Sequence, residues 1–197
     1  MADFRAIAAT GRSVVRFLNR CFAEDPPVPD QTTRAVLVRT EDLDPASTTV
    51  VTPPALTVFL YRVDSNKTVR AAWSAVGSQT GRSHLPLDLH FLLTPWAENA
   101  DYELRILGRA MQCLEAQPVL AGPLLDPLTS WAPHEAVQLC LEEISTENVM
   151  RTFDSLPLDY KLSVPYAARV VRIEGPGAAP GGPVTTLVIG AKPEAER

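Results

Sequence analysis

The chain lacks the local signatures on which most enzymatic chemistry rests. It contains no HExxH, no CxxC and no paired Cys/His spacing that would hold a metal. There is neither a GxGxxG run nor a GxxxxGK run ending in Ser or Thr, so no phosphate-cradling loop is expected, and no GxSxG nucleophile elbow occurs. Cysteine is scarce. Cys21, Cys113 and Cys140 are odd in number and far apart, which excludes a disulfide framework and suits a reducing cytoplasm. Positive charge is also in short supply: the net charge is −5, and a protein that lives on phosphate contacts is usually basic, so nucleic acid is not expected as a partner. No stretch approaches the ~18 uninterrupted apolar residues of a membrane span. The first residues, MADFRAIAATGRSVV, have no unbroken apolar core of the kind a secretion signal carries.

What is present is an ordinary globular composition over 197 residues, 46% hydrophobic and 21% charged, enough to bury one sizeable core. Prolines number 18 against 10 glycines, so segments should end abruptly. Phe4, Ile7, Ala8, Gly11, Val14, Val15, Leu18 and Phe22 recur every three or four residues and predict an amphipathic helix over about 4–23, with Asp3 as its N-cap and Pro26-Pro27 closing it. Arg5, Arg12, Arg16 and Arg20 gather on the opposite face. That face is either solvated or meets an acidic partner.

Strands are expected at 34–38 and at 55–63, the latter apolar enough to be buried on both faces. Glu41 to Thr49 reads as a loop, and Asp64 to Lys67 as a turn; residues 68–82 fit either a hairpin arm or an excursion. Leu85, Leu87, Leu89, Phe91 and Leu93 alternate with Pro86, Asp88, His90 and Leu92, predicting a strand with one polar face that Thr94-Pro95-Trp96 ends. A second helix over about 100–117 should bury Leu104, Leu107, Gly108, Met111 and Leu114, with Asp101 and Arg105 paired on its surface. Pro118, Pro123, Pro127 and Pro133 argue against regular structure in 118–134. A strand at 137–141, a short helix capped by Ser145 and a long strand over 162–171 follow, and Pro165 points to an edge or a bulge in the last. GPGAAPGGP beyond Glu174 reads as a linker, with a candidate strand at 184–190 after it. The fold class is therefore α+β, a mostly antiparallel sheet with helices packed on one face of it. The organisation is one domain over 1–174 and a Gly/Pro/Ala-rich linker and tail over 175–197.

Few residues invite a chemical reading. His90 with Asp88 on one strand face could orient an imidazole, but an exposed polar face or a subunit contact explains the pair as well. Glu142 and Glu143 are adjacent on a strand and so point to opposite faces, and are read as solvated. Cys113 and Cys140 sit in apolar patterns and read as core fillers. No catalytic residue, cofactor or metal is expected.

Three segments in order, LPLDLHFLLTPWA (85–97), LRILGRAMQCLEAQPVL (104–120) and YKLSVPYAARVVRIE (160–174), together with the first helix and ALTVFLYRV, resemble the cap or tail-terminator family of phage-tail-like contractile injection systems. Members occur in the antifeeding prophage and the Photorhabdus virulence cassette. The resemblance implies a terminator-like fold and a structural, non-enzymatic role. It further implies a homo-hexameric ring that ends the inner tube and holds the last sheath layer, so the implied partners are tube protein, sheath protein and further copies of the chain. A baseplate adaptor or assembly chaperone of the same particle is the alternative, and a small enzyme using His90 and Asp88 a third reading. Assembly would take place in the cytoplasm, with release in an extracellular particle left open. Candidate assembly contacts are Arg12, Arg16 and Arg20 on the helix, Pro165 and Arg169 on the last long strand, and Val184, Leu187 and Ile189 in the tail. The unpaired backbone of a sheet border is a template for strand exchange.

Overall fold

The computed structural model describes residues 2–44, 50–73 and 83–175, with the side chains of 71–73 left out. The candidate contacts Val184, Leu187 and Ile189 lie outside the described residues.

Helix α1 spans Ala6–Glu24. The expected cap Asp3 sits two residues upstream of the capping position: Arg5 holds that position without a side-chain bond, while the Asp3 carboxylate accepts the Arg5 backbone N–H at 2.9 Å. That bond is the main reason the Asp3 carboxyl titrates below its usual range. Two buried hydroxyls inside α1, Thr10 and Ser13, donate back to the carbonyls of Ala6 and Ala9 at 2.8 and 2.7 Å, so their burial leaves no polar group unmet.

Six strands form one sheet among the described residues. In chain order they are β1 (Arg34–Val38), β2 (Ala55–Ser65), β3 (His84–Trp96), β4 (Val119–Ala121), β5 (Ala136–Leu141) and β6 (Val164–Glu174). Their order across the sheet is β1-β2-β3-β6-β5-β4. Only β1 and β2 run parallel; the other neighbours are antiparallel, as the alternating patterns imply. Three further α-helices are present among the described residues: α2 (Lys67–Trp73), α3 (Ala100–Ala116) and α4 (Thr146–Phe153). Residues 40–43 form a 3-10 turn within the expected loop, and 67–73 of the ambiguous stretch are helical. Asn66 starts α2 by accepting the N–H groups of Thr68 and Val69.

The main core lies between one sheet face and α1 with α3. Leu18 of α1, Ile106 and Leu114 of α3, Leu56 and Val58 of β2, and Leu89, Phe91 and Leu93 of β3 are all at most 2% exposed. Each such side chain contributes roughly 1.5–3 kcal/mol of burial. Gly11 brings α1 close to β1, since a Cβ there would stand 3.1 Å from Leu37. The buried stripe of α3 is Ile106, Leu107, Ala110, Cys113 and Leu114, rotated from the expected one: Leu104 is 57% exposed and Gly108 faces open space. Cys113 and Cys21 meet inside this core. Burial, then the neighbouring Cys21 thiol, push Cys113 up to about 12, so it is an inert filler.

The opposite face carries a smaller apolar cluster of Val38, Leu43, Phe59, Leu92 and Phe153. Helix α4 therefore packs on the face away from α1 and α3, and the helices are not confined to one side. This second cover buries Leu92 on the β3 face that was expected to be polar, and β3 is buried on both faces from Leu89 to Pro95. It also explains why β2 is buried on both faces only from Ala55 to Phe59; beyond the cover, Val63 is 43% exposed.

The proline expectations divide. Pro86 stands near the start of β3, where a proline is tolerated in a strand. Pro165, however, lies on β6, an interior strand between β3 and β5, and not on an edge. It is tolerated because β5 ends at this level: the Pro165 carbonyl accepts Glu142 N–H at 3.0 Å, and the N–H that proline lacks would point past the last paired residue, Leu141. The bulge in β6 is elsewhere, where Arg169 and Val170 together oppose Asp88 of β3. The stretch 118–134 is not wholly irregular: it supplies the three-residue strand β4 and a 3-10 turn at 122–124.

Both sheet borders are partly plugged by side chains. The carboxamide of Asn19 donates to Ala35 O and accepts from Ala35 N–H, each at 2.9 Å, on the open side of β1. Asp42 accepts Arg39 N–H just beyond that strand. On the other border, Gln117 donates to Val119 O. Such plugs remove the ladder that a foreign strand would need. Replacing Asn19 with Ala should cost about 1–3 kcal/mol, the loss expected when buried backbone groups lose their partner. A urea melt beside the wild type measures it, and Asn19→Ala should also aggregate more readily.

Candidate functional site

Two bulges shape the polar part of the sheet face opposite α1 and α3. On β2 the register with β3 shifts between Leu60 and Arg62, so Tyr61 is extra. A bulge re-aims side chains, and here consecutive residues Tyr61 and Arg62 both reach Glu142. The Tyr61 hydroxyl donates to Glu142 Oε2 at 3.3 Å, and Arg62 Nη2 to Glu142 Oε1 at 3.1 Å. Residue 142 follows β5, three strand spacings from β2, which is about 14 Å in a flat sheet. The sheet is curled, and these contacts put its concave side on this face. Small residues leave the room: Ala167 lies between His90 and Cys140 in one row across β3, β6 and β5.

His90 sits at the centre of the cluster and is 3% exposed, which corrects its expected place on an exposed polar face. Its Nδ1 lies 2.8 Å from Glu142 Oε2 and its Nε2 lies 3.2 Å from Asp64 Oδ2. Arg62 Nε pairs with the same Asp64 oxygen at 3.0 Å. Glu142 is likewise not a solvated carboxylate, since its side chain is only 10% exposed. Asp88, the expected partner of His90, points to other groups: Asn66 donates to both of its oxygens, and Arg169 stands 3.8 Å away. Both imidazole nitrogens are occupied by carboxylates of the chain itself, and so little of the ring is exposed that a substrate has no approach. The arrangement ties β2, β3 and the end of β5 together. Sequence reasoning missed Tyr61, Arg62, Asp64 and Glu142 because their meeting depends on one inserted residue and on sheet curvature. Among the described residues no group of three or more His, Cys, Asp or Glu side chains could hold a metal ion.

The helix arginines are not brought together as one free face. Arg16 Nη2 donates to the carbonyls of Pro123 and Leu125, both at 2.8 Å, and its Nη1 stands 3.9 Å from Asp126. It pins the proline-rich loop, helped by Ser13, whose hydroxyl accepts Asp126 N–H. Arg20 is paired with Glu24 one turn on, at 2.9 Å. Arg12 is exposed. Arg169 is half exposed beside Asp88, on the polar face. Arg12, Arg16 and Arg20 thus lie on the helix side of the sheet, while Arg169 lies on the other.

Residues 9–186 match the family described as the Pvc16 N-terminal domain. Two solved structures share the fold. One is the sheath/tube terminator of an extracellular contractile injection system, PVC, in the extended state; it is 16% identical with a TM-score of 0.52, and the match covers 92% of this chain and 64% of that one. The other is the tube-terminating cap of the anti-feeding prophage, 16% identical with a TM-score of 0.53, covering 93% of this chain and 59% of that one. The chain thus spans less than two thirds of the length of these structures' chains. No curated protein matches it in sequence. The resemblance carried by 85–97, 104–120 and 160–174 and the α+β terminator-like fold class are both borne out.

Burial, and after it the Glu142 carboxylate, push the Tyr61 phenol up to about 12 from 10.0. A phenol raised in the folded state stabilises fully below its unfolded value, and that contribution is lost as pH climbs through the folded one. Stability should therefore fall between pH 10 and pH 12. In Tyr61→Phe the fall should be shallower, read as the urea midpoint at each pH.

Proposed function

The chain belongs to the Pvc16 N-terminal domain family, and from that membership we propose that it is the terminating cap of a phage-tail-like contractile injection system. The observation that carries this reading is the family match over 9–186, on a fold shared with two tube terminators. We infer a homo-hexameric ring that ends the inner tube and anchors the last sheath layer, with tube protein, sheath protein and sister copies as partners. The role is structural. The mutually satisfied His90–Glu142–Asp64–Arg62 cluster supports this, because its imidazole is buried and bonded on both nitrogens, so the cluster serves to hold the sheet together.

In this proposal residues 1–174 are the cap domain, and 175–197 a linker and tail that reaches a neighbouring subunit or a sheath chain. Assembly takes place in the cytoplasm, before any release of the particle. Of the candidate contacts, Arg12 has the most charge to offer a neighbour, since Arg16 and Arg20 are engaged within the chain and Arg169 stands beside Asp88. Exposed pairs contribute only ~0–1 kcal/mol each, so several contacts must act together in one ring.

Electron microscopy of assembled particles tests the reading: density for this chain should form a sixfold collar at the end away from the baseplate. Density at the baseplate, or none in finished particles, would overturn it. Arg12→Glu should leave the fold intact and lower the share of particles carrying the collar, whereas removal of 176–197 should leave the collar present but the terminal sheath layer loose.

A further inference from the structure

The segment ahead of α1 is held in place by unusually many bonds. Glu174 N–H donates to Ala2 O at 2.9 Å, Asp3 N–H to Thr129 Oγ1 at 3.2 Å, Thr129 Oγ1 to Asp3 Oδ1 at 3.0 Å, and Arg5 reaches Leu128 O. Ala2 and Thr129 are buried. From this fixed frame Phe4 projects into solvent. It is 77% exposed, the most exposed large apolar side chain among the described residues, and the Arg5 guanidinium lies 5.3 Å from its ring centroid. An ordered backbone that presents a bare phenyl ring has already met the entropic cost of an anchor, and aromatic anchors flanked by arginine are the usual centre of a protein contact.

The other end of the same helix offers a socket. A cleft of about 480 Å³ lies between the end of α1 and the start of β1, lined by Asn19, Phe22, Ala23, Pro26, Thr33 and Arg34 among others. Phe22 forms an apolar floor at 2% exposed, and Thr33, at 5% exposed, has a buried Oγ1 without a partner. Next in sequence to its lining residues, Glu24 is taken by Arg20, and Asp25 pairs with the mostly buried Arg109 at 3.4 Å while keeping 72% of its side chain exposed. Asp30 is exposed as well. Two carboxylates thus face solvent where one cation, Arg34, lines the cleft, which suits a ring arriving with Arg5 on its face.

We propose that Phe4 of one copy seats in this cleft of the next copy, with Arg5 meeting Asp25 and Asp30. Knob and socket stand at opposite ends of α1, about 28 Å apart. A head-to-tail contact uses two different patches on each subunit, and repeated by rotation it closes into a ring. The contact rests on the ring reading above and names the surfaces that would build it.

Cysteine trapping on the full chain, in a Cys140→Ser background, tests it. A Phe4→Cys chain mixed with an Ala23→Cys chain should form a disulfide-linked dimer under mild oxidant, and neither chain alone should. Both positions are exposed, so the fold is spared, and a circular dichroism melt checks that. In sedimentation, Phe4→Glu should weaken self-association at least tenfold. Unchanged association of Phe4→Glu, or no mixed dimer while the wild type forms rings, would overturn this contact and leave the cap reading standing. A wild-type chain that stays monomeric at every concentration, and is absent from the particle tip, would overturn both.

Discussion

Strand β3 is covered from both sides at once, and most of the architecture follows from that demand. Leu89, Phe91 and Leu93 face α1 and α3, while Leu92 faces the cluster built by Leu43, Phe59 and Phe153. A strand buried twice needs neighbours on both edges and a layer on both faces, which β2, β6 and the two sets of helices supply. The second layer is small, and it does not reach the His84 end of β3. There the apolar cover gives way to His90, Asp64, Arg62 and Glu142. A buried imidazole stripped of partners would cost the sheet dearly, whereas one set between two carboxylates and beside a guanidinium fixes the register of β2 against β3 and of β5 across β6.

The same economy appears at the borders. A six-stranded sheet has two edges, and here Asn19 occupies Ala35 on one and Gln117 occupies Val119 on the other. Helix α1 therefore does three things: it covers the core, plugs the β1 edge, and through Arg16 and Ser13 holds the loop over 123–126. Close approach at Gly11 makes this possible. Assembly through strand addition has little open ladder to use at β1, which shifts attention from the sheet borders to side chains that the frame holds out into solvent.

Elements whose pattern is local were legible in the sequence. The extents of α1 and α3, the Ser145 cap of α4 and most of the alternation of β5 follow from near neighbours, and Asn148 N–H does donate to Ser145, but the buried side of α1 is rotated from the expected stripe: Phe4 and Ala8 are exposed, while Ala6, Ala9, Phe17 and Cys21 are buried. What was not legible depends on partners distant in the chain. His90 looked exposed because its strand alternates with polar residues, yet its fate is set by Glu142, 52 positions away. Asp88 looked like its partner by spacing, but the bulge of β6 turned Arg169 toward Asp88 instead. Pro165 suggested an edge because proline breaks ladders; it stands instead at the second residue of β6, level with the end of β5, where its carbonyl still accepts Glu142 N–H. The stripe of α3 was misplaced by one residue because Leu104 and Met111 are as apolar as Ile106, and only the packing shows which of them faces the sheet.

A cap differs from an enzyme in where it can spend polar residues. An active site keeps some of them unpaired for a substrate, at a cost to stability; a building block that must only hold shape pairs them within itself and leaves outside the groups that meet a neighbour. The proposed role of this chain as a cap fits the second pattern. Its most buried charged cluster is satisfied internally, Arg16 is tied to the proline-rich loop and Arg20 to Glu24, and Cys113 is held inert by burial. Large apolar side chains are also left in water: Phe4, Leu104 and Leu141 are each more than half exposed. Single exposed apolar residues are common on monomers and need no account. Phe4 is different because the backbone beneath it is bonded to Thr129 and Glu174, groups more than a hundred residues away, so its direction is imposed by the folded sheet and not by local chance. Rigid placement of an unburied ring is what a repeated, identical contact requires, since each subunit of a closed ring must meet its neighbour at the same angle.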